Sequence, residues 1–246
     1  MNEIDLLRSR IDDTITDAYE KGFGFLGFLN EAEISFAKGY LKNLGVSFSF
    51  YGGYPLSSRC YLCISPYEEI KTSSYPFSPY LIKARDSAIL SHRDYLGSIM
   101  ALGIKRDCLG DILTIEPNSA IVLIRNEVAD YIRDQLYTVG REKVKISEYA
   151  EHIENYEPKS EELRIIVSSM RSDNVVSACI NKSRTSATEL IGAEQVYLNY
   201  ITVTKVSQNI SEGDILSIRG YGKFQIMEQV SSTRKDRLVI RVLHYI

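Results

Sequence analysis

Leu90-Ser91-His92-Arg93-Asp94-Tyr95-Leu96-Gly97 marks a helix start more fully than any other stretch of this chain. Ser91 is placed to accept a hydrogen bond from the third helical N–H. Asp94 stands where a capping partner reaches back, and Leu90 and Tyr95 form a hydrophobic staple. Leu96, Ile99 and Met100 then recur at core spacing, and Gly103 supplies a left-handed stop. Outward from this helix, Tyr80 to Ala84 reads as a strand before it. After it come a strand from Asp111 to Ile115, the turn Glu116-Pro117-Asn118-Ser119, a strand from Ala120 to Arg125, a helix from Glu127 to Tyr137 and a strand from Lys143 to Ile146. The order βαββαβ is that of a split βαβ, with one layer of helices on one face of a four-stranded sheet.

The central segment, residues 75–155, is therefore expected to be a ferredoxin-like domain. Before it, Ile4, Leu7, Ile11, Ile15 and Ala18 give an amphipathic helix with Asp5, Asp12, Asp13 and Asp17 on its outer face. A glycine-broken connection, Gly22 to Phe28, leads to a second helix capped by Asn30 with Glu33 and ended by Gly45. Val46 to Tyr51 and Cys60 to Ile64 read as strands, so residues 1–74 are expected as a small α/β domain. Glu154 to Ser160 is polar, contains Pro158 and breaks all periodicity, which marks a linker. Residues 160–246 form the third domain: a strand from Glu162 to Ser168, helices from Met170 to Cys179 and from Ser183 to Ile191, then short strands. The expected class is α+β throughout.

The 246 residues are 44% hydrophobic and 25% charged, as in ordinary globular chains. The longest aliphatic run, Ile121 to Ile124, is far short of the ~20 residues a membrane-spanning helix needs, so no membrane insertion is expected. The start, Met1-Asn2-Glu3-Ile4-Asp5, lacks the basic and apolar blocks of a secretory signal, and the expected location is cytoplasmic. Cys60, Cys63, Cys108 and Cys179 are scattered and read as buried structural thiols, with no second pair to complete a zinc site. Charge is uneven. Residues 160–246 carry 11 Lys and Arg against 9 Asp and Glu, and only this segment is net basic in a chain of net charge −3.

In that basic segment Ser183 caps a helix whose outer face holds Arg184, Thr185 and Thr188, while Ala187, Leu190 and Ile191 supply the buried face. With Lys182 before it, the helix start is a phosphate site in composition, and Arg171 begins the neighbouring helix. The same residues also fit a capped helix with solvated basic side chains. The series Arg171-x-Asp173, Ser183-Arg184-x-x-Ala187-x-x-Leu190-Ile191, Val196-x-Leu198-Asn199, Gly213-Asp214-x-Leu216 and Arg219-Gly220-x-Gly222-Lys223-Phe224 resembles the S-four RNA-binding domain over about residues 163–224. That resemblance implies RNA-facing roles for Arg171, Lys182, Ser183, Arg184, Thr185, Thr188, Arg219 and Lys223. The chain departs from the family at Ser172, where leucine is usual, and at Glu194, where glycine is usual.

The capped-helix stretch above, with Leu102-Gly103-Ile104-Lys105-Arg106-Asp107, Gly110-Asp111-Ile112, and Gly52-Gly53-Tyr54 with Arg59, resembles the YlmH family along nearly the whole chain. The acidic residue usual before that arginine is Ser58 here. The resemblance implies a non-catalytic protein that docks on the large ribosomal subunit. Its partners there would be ribosomal RNA and peptidyl-tRNA, with other quality-control factors, in the rescue of stalled translation. A cell-division interaction protein, using the acidic face around Asp12 and Asp13, is the alternative.

An enzyme is not expected. His92, Arg93 and Asp94 project about 100° apart along a helix and cannot converge on one atom. His152 and His244 have no evident acid or thiol partner, and no nucleotide-binding or metal-ligand motif is present, so neither cofactor nor metal is expected. His92, Arg93, Lys105 and Arg106 make a possible second RNA contact, with a solvated turn as the competing reading. The sheet lacks the aromatic strand motif of common RNA-recognition domains, so binding through helices and loops is expected.

Overall fold

A computed structural model describes residues 3–67, 70–150, 153, 156–233 and 236–245. The expected linker residues Glu154 and Asn155, and His152, lie outside the described residues. The chain divides into two compact units, Met1–Glu157 and Pro158–Ile246, and its class is α+β.

The first unit opens with α1 (Glu3–Lys21), β1 (Gly24–Leu29), α2 (Glu31–Leu44), β2 (Phe48–Tyr51) and β3 (Cys60–Ile64). α2 begins as its sequence requires: the Asn30 side chain accepts from the Glu33 N–H at 3.0 Å and the Glu33 carboxylate accepts from the Asn30 N–H at 2.7 Å. Gly45, at φ 68°, ends it. The strands form an antiparallel sheet in the order β1-β3-β2. β1 occupies the stretch expected to be a connection. It is buried on both sides and so shows no alternation of polar and apolar residues.

The unit continues with β4 (Phe77–Ala84), α3 (His92–Met100), β5 (Leu109–Glu116), β6 (Ser119–Arg125), α4 (Asn126–Gln135), β7 (Thr138–Val139) and β8 (Glu142–Glu148). These strands form a second antiparallel sheet in the order β5-β6-β4-β8-β7, one short strand more than the four expected. On one face Tyr80, Ile82, Val122 and Ile124 form a core with Tyr95 and Ile99 of α3 and Ala129 and Ile132 of α4. Each large side chain buried there contributes roughly 1.5–3 kcal/mol. On the other face Leu113, Ile121 and Leu123 pack with Phe28, Tyr54 and Tyr61. Residues 1–74 and 75–155, expected as separate domains, thus share a core within one unit. The aromatic side chains of β1, β3 and the 52–54 turn need that apolar sheet face to leave water.

The second unit comprises β9 (Ser160–Val167), α5 (Ser172–Cys179), α6 (Arg184–Gly192), β10 (Val196–Leu198), β11 (Ile201–Thr202), β12 (Ile215–Ile218), β13 (Gly222–Ser232) and β14 (Leu238–Tyr245). One antiparallel sheet results, in the order β11-β10-β12-β13-β14-β9. Val175, Val176, Ala187 and Ile191 of the two helices bury against Phe224, Ile226, Ile240 and Val242. β13 runs for 11 residues where only short strands were read. Its end from Glu228 to Ser232 is exposed and its ladder shifts register at two points, so hydrophobic alternation fades there.

Candidate functional site

The basic helix start of the second unit is built around a buried acid. Asp173, only 4% exposed, lies in the first turn of α5. Its Oδ1 accepts from Arg171 Nε at 3.1 Å, and its Oδ2 accepts from Arg184 of α6. Burial pushes the Asp173 carboxyl up, but the hydrogen bonds and positive charge of Arg171 and Arg184 outweigh it and hold it below the ordinary carboxylate value. One carboxylate therefore orients two arginines from two helices while their guanidinium groups remain partly exposed, at 43% and 59% of the side chain. With one negative charge against two positive ones, the pair keeps a net positive face.

Ser183 caps α6 as expected, its Oγ accepting from the Ser186 N–H at 3.1 Å. Lys182, Ser183, Arg184, Thr185 and Thr188 are all exposed, and the Thr188 hydroxyl donates back to the Arg184 carbonyl at 3.0 Å. Arg171 and Arg184 thus meet on Asp173, and Lys182 and Ser183 directly precede Arg184 in the chain. Arg219 does not join them. Its N–H donates to the Gln195 carbonyl at 2.9 Å, beyond the C-terminal end of α6, about 14 Å of helix away from Ser183. Lys223 lies over the Tyr200 ring, its Nζ 5.2 Å from the centroid. The turn that carries Arg219 has Gly220 at φ 84° and Gly222 at φ 99°, conformations that a side chain resists.

Both departures from the S-four pattern find a physical account. Ser172 is fully buried, and its hydroxyl contacts the Lys205 and Val206 carbonyls at 3.0 and 2.9 Å, tying α5 to the 205–206 loop by polar contact where leucine would pack. Glu194 adopts φ 56° just past α6, a backbone state that explains the family's glycine. The motif residues Asn199 and Asp214 also meet: Asn199 Nδ2 donates to Asp214 at 2.8 Å while its Oδ1 accepts from the Ile215 N–H at 3.0 Å.

In the first unit the signature residues converge where the two sheets meet. Asp111 accepts from the Tyr54 hydroxyl at 2.8 Å and the Ser58 N–H at 2.6 Å. Arg59 donates to the Phe28 carbonyl at 2.7 Å and the Leu109 carbonyl at 3.2 Å. Arg106 donates to the carbonyls of Leu109 and Gly110. Burial, reinforced by Arg59, pushes the Arg106 pKa down to about 10. Gly110 is obligatory here, since a Cβ on it would stand 2.7 Å from Phe28 Cε1 and 2.8 Å from Leu123 Cβ.

This arrangement divides the possible second contact set His92, Arg93, Lys105 and Arg106. The Arg106 guanidinium is engaged with main-chain carbonyls, which leaves it less able to serve a phosphate. His92 reaches solvent, yet burial and then the charge of Arg106 push its pKa down, with Asp111 a smaller opposing influence, so it stays neutral at pH 7. Arg93 and Lys105 are exposed. The capping box at the head of α3 is present as read, with Ser91 and Asp94 bonded reciprocally. Sequence reasoning missed Asp173 as the organiser of the two arginines, although the Arg171-x-Asp173 spacing carried the signal.

The four cysteines are buried free thiols, and burial pushes Cys63 up to about 11. Among the described residues no cluster of His, Cys, Asp and Glu is suited to hold a metal, and no helix is long and apolar enough to cross a membrane.

The class defined by this architecture is an α+β protein, and its residues 82–152 match the family model described as "Putative RNA-binding domain in YlmH". A curated relative, "Ribosome-associated protein quality control protein P2" of Bacillus subtilis (strain 168), is 28% identical over 213 residues, covering 85% of this chain and 82% of the relative. A solved chain described as "Cell division protein ylmH from Streptococcus pneumoniae" superposes with a TM-score of 0.53 at 21% identity, over 61% of this chain and 92% of that one. The chain is thus similar to proteins of the YlmH family, by its middle segment and by a likeness that runs along most of its length.

Proposed function

We propose that this protein is a non-catalytic, cytoplasmic RNA-binding protein that docks on the large ribosomal subunit and contacts ribosomal RNA and peptidyl-tRNA during quality control of stalled translation. The likeness to the ribosome-associated quality control protein, along 85% of the chain, carries this reading. The Asp173-centred cluster supports it physically, because two arginines held at a fixed spacing beside a capped helix start lose little freedom on meeting a phosphate. Two finer fold assignments belong to the same reading. The antiparallel strand order β8-β4-β6-β5, with α3 and α4 on one face, supports a ferredoxin-like middle domain. The helix pair α5–α6 followed by the antiparallel strands β10 to β13 supports an S-four domain over residues 160–246.

Co-sedimentation of the full chain with large ribosomal subunits carrying peptidyl-tRNA, over a range of salt concentrations, tests this. The Lys182→Ala/Arg184→Ala variant should pellet less and show a shallower salt dependence, by roughly 0.7–0.9 in the log–log slope for each phosphate that is no longer neutralised. Equal pelleting of variant and parent at every salt concentration would remove the α6 start as the RNA-contacting surface.

A further inference from the structure

The face of the five-stranded sheet opposite α3 and α4 is only partly covered by the residues before it. Over β5 and β6 that face meets Phe28, Tyr54 and Tyr61. Over β4 and β8, among the described residues, it is open and forms a groove of about 940 Å³ whose lining includes Leu81, Lys83, Arg85, Tyr137, Lys143 and Lys145. Among the described residues no carboxylate lines it. Four of the ten Lys and Arg of residues 75–155 gather there.

The placement of the lysines costs the fold something. Lys83 and Lys145 are register partners on adjacent antiparallel strands, and like charges set directly opposite one another destabilise a sheet. Lys143, two residues along β8, projects from the same face about 7 Å further on. Lys83 reaches Glu116 at 3.8 Å and Arg85 pairs with Glu142, whereas Lys143 and Lys145 make no ion pair among the described residues. At the rim Tyr137 is 70% exposed, an aromatic ring displayed beside unneutralised cations.

We infer that this groove is a second RNA site, which takes a single-stranded or looped segment with its phosphates on Lys83, Lys143 and Lys145 and one unpaired base stacked on Tyr137. Repulsion between facing lysines is relieved by an anion, and a ring at the edge of a cationic groove is the arrangement by which proteins hold single strands with little sequence preference. An acidic peptide would satisfy the lysines but has no flat base for Tyr137, so the two occupants differ in what the tyrosine contributes. The inference rests on the RNA-binding reading above, but it places the contact on the sheet face of the first unit, where the sequence pointed to helices and loops.

The test uses full-length protein already carrying Lys182→Ala and Arg184→Ala, so that the proposed site of the second unit is weakened, and a short fluorescently labelled oligouridine read by anisotropy. Adding Lys143→Gln and Lys145→Gln should lower affinity and reduce the salt slope by about 1.4, two phosphates at roughly 0.7 each for a single strand. Adding Tyr137→Ala alone should lower affinity about tenfold with the slope unchanged. All substituted side chains are exposed, and an unchanged melting temperature would certify the fold. Unaltered affinity and slope in the lysine variant would overturn the groove while leaving ribosome docking through α6 standing. A parent protein that pellets with large subunits yet ignores oligouridine would overturn it too, and one that does neither would overturn both readings. Polyglutamate competing as well as the RNA, with Tyr137→Ala without effect, would assign the groove to an acidic protein instead.

Discussion

Two arginine–aspartate clusters in this chain look alike in sequence and do different work. In the first unit Asp111 is held by neutral donors, Tyr54 and Ser58, while Arg59 and Arg106 spend their donors on the carbonyls of Phe28, Leu109 and Gly110. In the second unit Asp173 bonds directly to Arg171 and Arg184, whose outer atoms still face water. The first cluster satisfies main-chain groups where two sheets share a core, and its charges are consumed by the fold. The second orients charge outward. A basic residue in a motif therefore says little about nucleic acid until its donors have been counted.

The contrast can be broken by substitution. Arg59→Ala should lower the unfolding free energy of the first unit by about 3 kcal/mol, because it removes the charged donor to the Phe28 carbonyl at the junction and leaves the Leu109 carbonyl to Arg106 alone. Urea denaturation checks this, and a loss below about 0.5 kcal/mol would mean that water replaces the guanidinium freely. Gly110→Ala should cost about 2 kcal/mol in the same measurement through overpacking against Phe28 and Leu123.

Effects in the second unit should be smaller. Asp173→Asn weakens both arginine contacts and is expected to cost about 1 kcal/mol, read as faster hydrogen exchange in residues 172–192. The parent should also show an acid dependence there. The folded Asp173 carboxyl titrates below its ordinary value, so its contribution is complete above about pH 4 and is lost as the pH falls through the folded value. Asp173→Asn should remove that dependence, and the same acid profile in parent and variant would assign it to another group. The smallest effect is a gain: Glu194→Gly relieves a positive φ and should stabilise the unit by about 0.5 kcal/mol, visible as a slightly higher melting temperature.

How much was legible in the sequence follows the same division between local and long-range physics. The caps at Asn30, Ser91 and Ser183 were readable because each bond spans only three residues. β1 was hidden because burial on both faces erases alternation, and the union of residues 1–74 with the middle segment was hidden because Phe28 and Leu123 are far apart in the chain. Arg171 and Arg184 were legible as basic motif residues. Their convergence on Asp173 was not, since it depends on how α5 packs against α6. The open groove was missed for a related reason: Lys83 and Lys145 become neighbours only through strand pairing.

The central claim is that this chain grips RNA through outward-facing cations while its inward-facing ones build the fold. Ultraviolet crosslinking of the full chain to large ribosomal subunits holding peptidyl-tRNA, followed by mapping of the crosslinked peptides, tests it most directly. RNA crosslinks should fall on the segment around Lys182 to Arg184 and on Tyr137 to Lys145, and should be absent from the Arg59–Arg106 junction. Crosslinks confined to ribosomal proteins, or centred on Arg59 and Arg106, would contradict it.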